Sequence, residues 1–125
     1  MTWLRWLVIV AAVIESGFMV VDGTHALTTG DYFTPRSGPY AGQLGPWASV
    51  VSRAGVQPRS TAMKVTFVVL GAAWLAVVLA FARGASWSWF AMLAFALGTL
   101  WYFPVGTILS VVQLAALWVL RSNAA

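Results

Sequence analysis

The chain has three carboxylate side chains, Glu15, Asp22 and Asp31, and one histidine, His25. Glu15 stands apart from the others because it lies inside the apolar stretch Trp3–Val21. A charged side chain at such depth in a lipid bilayer costs about 2.5 kcal/mol or more unless it is paired, protonated or hydrated. Helical rise allows its depth to be compared with that of other polar residues. At about 1.5 Å per residue, Glu15 lies roughly 10 Å from the outer end of its own segment. On the same measure Ser110 and Gln113 lie roughly 9 and 14 Å, and Thr66 and Thr99 about 7 Å, from the outer ends of theirs. These depths place Glu15, Thr66, Thr99, Ser110 and Gln113 within reach of one polar cluster. Three readings of it stand open: a proton-accepting or ligand-binding pocket, a structural hydrogen bond that fixes helix register, or a contact with a partner subunit.

The second candidate group is Asp22, His25 and Asp31, in the stretch Asp22-Gly23-Thr24-His25 through Gly30-Asp31-Tyr32. One imidazole and two carboxylates have the chemistry for a divalent metal or for acid–base work. Their spacing matches no metal motif, and Asp before Gly is ordinary turn chemistry. Neither metal binding nor catalysis is therefore expected. A chain without cysteine has no disulfide, thiolate ligand or thiol nucleophile. With His25 as the only histidine, neither histidine-ligated nor covalent cofactors are expected in the membrane, and lipid, quinone or pigment contacts remain open. No P-loop, dinucleotide-binding, zincin or nucleophile-elbow motif occurs.

The elements that must position these residues are apolar helices. The composition is 61% hydrophobic and 8% charged, against about 25% charged in soluble domains. A hydrocarbon core of about 30 Å takes roughly 20 residues of helix. Four crossings are expected, over residues 3–21, 61–82, 85–103 and 104–120, in a single domain covering 1–125. Trp3–Val21 reads as a retained crossing, not a cleaved leader, because Glu15 interrupts the apolar stretch and no small-residue cleavage site follows Gly17. Asp22-Gly23 would end it. Residues 22–60 are dense in Gly and Pro and form a long loop, within which Pro46–Val56 predicts a short helix presenting Trp47, Val50, Val51 and Ala54. That helix either lies in the membrane interface or packs on the ends of the crossings. Ser60 or Thr61 caps the second crossing. Ala72, Ala76 and Ala80, and likewise Ala94 and Gly98, form smooth stripes suited to close helix contact. Pro104-Val105-Gly106 turns the third crossing tightly into the fourth.

The fold class is thus all-α, an integral membrane four-helix bundle whose long first loop carries a short interfacial helix. The eight tryptophans mostly fall near helix ends, as an aromatic belt requires. The net charge of +4 is spread over single basic residues at helix ends and in loops, which anchors a membrane protein and does not make a nucleic-acid surface. Arg5, Arg83 and Arg121 on short segments favour both termini inside and loop 22–60 outside.

Gly30-Asp31-Tyr32, Gly45-Pro46-Trp47 and the ending Phe103-Pro104-Val105-Gly106-Thr107-Ile108-Leu109, together with the overall plan, resemble small four-helix bacterial inner-membrane proteins. In size and span count the chain is similar to the DoxX-like group. The resemblance implies bacterial origin and a four-helix bundle. The expected function is that of a non-catalytic accessory subunit of a larger respiratory or photosynthetic membrane complex, with the lipid bilayer and other subunits as partners. The alternative is a small transporter or small-molecule-binding protein built around Glu15.

Overall fold

The computed structural model describes residues 2–34, 44, 46–102 and 105–124. The Gly/Pro-rich positions 35–43 and 45, and the Phe103-Pro104 part of the expected turn, lie outside the described residues. Among the described residues there are five helices and no strand: α1 (Thr2–Thr29), α2 (Trp47–Arg53), α3 (Thr61–Ala82), α4 (Ser88–Gly98) and α5 (Val105–Ala124). Two of them, α1 and α3, are long and apolar enough to cross a membrane.

Three boundaries depart from expectation. Asp22-Gly23 does not end α1, which runs on to Thr29. The helix stops where Gly30 takes a φ of +100° and its N–H bonds to the Ala26 carbonyl at 2.9 Å, a left-handed cap that glycine adopts without steric cost. Gly23 is a packing position: a Cβ there would lie 2.7 Å from the Phe67 Cβ and 3.0 Å from the Lys64 carbonyl oxygen of α3. The expected third crossing over 85–103 contracts to the 11 residues of α4. Thr99–Tyr102 leaves the helix in turns; the Trp101 indole N–H takes up Gly98 O at the helix end at 2.6 Å, and the Thr107 hydroxyl takes up Leu100 O. The fourth element is displaced to Val105–Ala124. The start of α3 is as expected, with the Ser60 hydroxyl accepting from Met63 N at 3.2 Å.

α1 packs along α3 and α5, and α4 packs on the same two helices from the far side. Two apolar layers fill the space between them. Leu4, Val8 and Ala12 of α1 meet Trp74, Val78 and Phe81 of α3, Met92 of α4, and Ala116 and Leu117 of α5. The second layer joins Met19 and Ala26 of α1 to Met63 and Phe67 of α3, with Tyr32, Trp47, Val51 and Tyr102. Here α2 is pinned by its Trp47 side chain, 4.8 Å from the Phe67 ring and 5.3 Å from that of Tyr32. Of the face expected on this helix, Trp47 and Val51 are buried, while Val50 and Ala54 are exposed. The Trp47 and Val51 edge of α2 faces the bundle and the other faces outward. At the opposite end Arg5 donates to Phe81 O at 2.8 Å, and Arg121 stacks over Trp89 and Phe90.

The seam between α1 and α3 is set by two glycines, one on each helix. A Cβ on Gly71 would fall 2.6 Å from the Ser16 carbonyl oxygen and 3.1 Å from Val20 N, both backbone atoms of α1. The Ala72/Ala76/Ala80 stripe plays no part in it: Ala72 and Ala76 are exposed, as are Ala94 and Gly98 on α4. Helical phase explains this, because Met63, Phe67, Gly71, Trp74 and Val78 already form the buried face of α3. Gly71→Ala is expected to lower stability by about 1–3 kcal/mol, the usual cost of overpacking. Gly17→Ala, where a Cβ meets nothing within 4 Å, should be neutral or stabilising by up to about 1 kcal/mol. Thermal unfolding of both variants in one detergent checks the contrast.

Candidate functional site

Glu15, Thr99, Ser110 and Gln113 come together between the two apolar layers. The inner face of α1 presents Glu15 and Ser16 between Ala12 and Met19, Thr99 closes the C-terminus of α4, and α5 supplies Ser110 and Gln113 one turn apart. Glu15 is 1% exposed, and Thr99, Ser110 and Gln113 are fully buried. The Ser110 hydroxyl oxygen lies 3.2 Å from each Glu15 carboxyl oxygen, and Gln113 Nε2 donates to Glu15 Oε1 at 3.2 Å. Thr99 Oγ1 is 3.0 Å from Ser110 Oγ and donates to the Phe95 carbonyl at 2.7 Å. Gln113 Oε1 has no hydrogen-bond partner. Among the described residues no cation pairs with Glu15, and the ion pair present is Arg59–Asp31 at 3.0 Å.

Thr66 does not join the cluster. It is exposed on the outer side of α3 and turns its hydroxyl back to Ala62 O at 2.8 Å. Its depth agrees with that of the others, but its direction around the helix axis does not, since the neighbouring Phe67 occupies the inward position. Ser16 was not anticipated as a member of this layer. It is fully buried and bonds Ala12 O at 2.5 Å within its own helix, a local arrangement that sequence spacing does not mark.

Asp22, His25 and Asp31 lie near one another at the outer end of α1, but no group of three side chains placed to hold a metal occurs among the described residues. Each instead fastens the chain that returns over the end of α1. Asp22 accepts the Phe33 N–H at 2.7 Å, His25 Nδ1 donates to the Asp31 carbonyl at 2.8 Å, and the His25 ring stacks on Phe33 at 3.8 Å. Asp31 accepts from Arg59 Nε at 3.0 Å and from Tyr32 N at 2.9 Å, while Lys64 Nζ donates to Gly30 O at 2.7 Å. Burial pushes the Asp31 carboxyl up. The bonds from Arg59 and Tyr32 and the charges of Arg59 and Lys64 outweigh it and hold the group below its ordinary value. Burial raises the Tyr32 phenol, with the Asp22 and Asp31 charges adding to it. An open groove of about 380 Å³ on the outer side of α1 is lined by Gly17, Phe18, Val21, Asp22 and Phe33.

The chain matches no protein-family profile, no curated protein and no solved structure. The class defined by fold and site is an all-helical protein with two helices of membrane-spanning length and an enclosed carboxyl cluster.

The Arg59–Asp31 clamp has a definite pH signature. A carboxyl whose folded value is depressed contributes stability that is fully present above its unfolded value, about 3.9, and is lost as pH falls through the lower folded value. Both side chains are about half exposed, at 50% and 43%, so the contribution is expected to stay below about 1 kcal/mol. The thermal midpoints of the parent and of Asp31→Asn should therefore differ slightly at pH 5–8 and begin to converge only as pH falls below about 4, toward the depressed folded value.

Proposed function

We propose that the chain is a multi-pass four-helix protein of a bacterial inner membrane, serving as a non-catalytic subunit of a larger assembly of respiratory or photosynthetic type. Its outer surface supports a lipid setting: Trp3, Phe18, Val69 and Trp118 are among many large apolar side chains more than half exposed. Water would penalise such a surface, whereas hydrocarbon accommodates it. On this reading α4 and its flanking turns complete a crossing, because side-chain and backbone donors occupy the turn carbonyls as lipid requires. Arg5, Arg83 and Arg121 then mark the cytoplasmic end, and α2 and residues 30–34 the outer end.

The observation that carries the subunit reading is the placement of the small-residue faces. Ala72, Ala73 and Ala76 of α3, with Ala94 and Gly98 of α4, point away from this chain's own core. Membrane helices associate largely through van der Waals packing at such smooth faces, so these suit a helix from another chain. A photo-crosslinking residue at Ala76 should trap a stoichiometric membrane companion, while the same residue at Val10, on the bulky outer face of α1, should trap lipid. A protein recovered from mild detergent as a lone monomer, with no adduct at either position, would sink the subunit reading.

A second reading is favoured by the Glu15 cluster and the unpartnered Gln113 Oε1: a small transporter or small-molecule-binding protein. Glu15→Gln should then abolish uptake or binding while leaving the protein folded, as judged by circular dichroism. Unchanged uptake in that variant would remove the pocket from consideration.

A further inference from the structure

We propose that Glu15 is a proton-binding site, held as the neutral acid, whose proton is donated to Ser110 at the head of a one-way chain of hydroxyl groups ending on the Phe95 carbonyl. It rests on the same four residues as the pocket reading but requires no carried solute.

The hydrogens available to the site fix its protonation. Three oxygen–oxygen contacts run in series: Glu15 to Ser110 at 3.2 Å, Ser110 to Thr99 at 3.0 Å, and Thr99 to Phe95 O at 2.7 Å. The two hydroxyl groups supply only two hydrogens. A carbonyl oxygen accepts and never donates, so the Thr99 hydrogen is committed to Phe95 O. The contact between Thr99 and Ser110 must then use the Ser110 hydrogen. Nothing is left to place between Ser110 and Glu15 unless the carboxyl brings a hydrogen of its own. With Glu15 ionised, one contact in the series would set lone pairs against lone pairs. With Glu15 protonated, every contact has one hydrogen and all of them point the same way.

The rest of the site agrees. Gln113 Nε2 donates to Oε1, which assigns that atom as the carbonyl oxygen of the acid and leaves Oε2 to carry the hydrogen. Gln113 Oε1, on the same fully buried amide, is left without a partner. Among the described residues no compensating cation faces the group from any packed element. On α1, Arg5 is bound to Phe81 O, and the next acid, Asp22, holds the Phe33 N–H. On α3, Lys64 is committed to Gly30 O, and on α5, Arg121 lies over Trp89. α4 carries no charged residue, and on the α4–α5 linker Tyr102 is the titratable group within electrostatic reach. Binding is the addition of one proton from the medium to the carboxylate, with no other bond made or broken.

Glu15 is the only glutamate in the chain, so a carboxyl-labelled glutamate reports on it alone. In isotope-edited infrared spectra of the full chain in liposomes at pH 7, the label should show a carboxylic-acid C=O band. This band should be absent in Glu15→Gln and move to higher frequency in Ser110→Ala as the acid loses its acceptor. A carboxylate signature at pH 7, or conversion of the acid band to carboxylate on adding sodium at fixed pH, would overturn the proposal, the latter in favour of a bound cation. Thermal unfolding gives an independent readout. Glu15→Gln, whose amide donates to Ser110 in the same direction as the acid, should keep the parent's midpoint, while Glu15→Ala should fall. Equal losses in the two variants would also count against the proposal. The infrared band reports the proton whether or not Glu15→Gln alters uptake, so failure of the pocket reading and failure of this one are separable.

Discussion

A carboxyl group enclosed by apolar side chains must be answered by hydrogen-bonding partners, because an unmet buried polar group costs more than most single contacts gain. Here the answer to Glu15 is drawn from two helices that follow it in the chain by more than eighty residues. This constrains the molecule more tightly than its apolar layers do. Apolar contact tolerates sliding and rotation, whereas a hydroxyl bonded at 3.0 Å and an amide at 3.2 Å tolerate little of either. The register of α5 against α1, and the point where α4 must stop so that Thr99 faces Ser110, both follow from that requirement. The two apolar layers then fill the space on either side of the cluster.

The seam between α1 and α3 works by a different physical means. Gly71 admits the Ser16 carbonyl and the Val20 backbone, and Gly23 admits Phe67 and the Lys64 carbonyl. Neither contact has chemical direction, only shape. Together they bring two long helices to backbone contact along an antiparallel pair and leave no room for a side chain at either point. The aromatic layer around Phe67 continues this seam outward, where Trp47, Tyr32 and Tyr102 lie edge or tilt against one another, a geometry that aromatic quadrupoles favour.

Much of this could be read from the residues before any coordinates, and the failures share a cause. Depth along a helix follows from counting residues, so the meeting of Glu15, Thr99, Ser110 and Gln113 could be anticipated from rise alone. Direction around a helix follows from which face is buried, and the α3 segment is apolar on every side. Thr66 therefore has the right height and the wrong face. Asp22-Gly23 has the composition of a turn, and local chemistry alone would end a helix there. What overrides it is tertiary: Gly23 is small because α3 presses against it, and Asp22 is polar because the Phe33 N–H needs an acceptor. Asp22, His25 and Asp31 do gather at the outer end of α1, but their backbone and cationic partners are tertiary and the spacing does not reveal them.

The two kinds of contact divide the molecule mechanically. α1 carries Glu15 and Asp22 on one buried face, so the cluster and the fastened outer end share a single rigid rod. Parting α1 from α3 means abandoning both glycine contacts and the aromatic layer at once. α4, by contrast, is half the length of α3, packs mainly on α3 and α5, and reaches the cluster through Thr99 just past its end. The series of hydrogen bonds from Glu15 ends there, on a carbonyl of the last turn of α4. The seam contacts therefore lie on the α3 side of α1, and the hydroxyl series from the carboxyl runs toward α4 and stops on its backbone. The carboxyl cluster and the α1–α3 seam thus use different faces of α1, one facing α5 and the other facing α3.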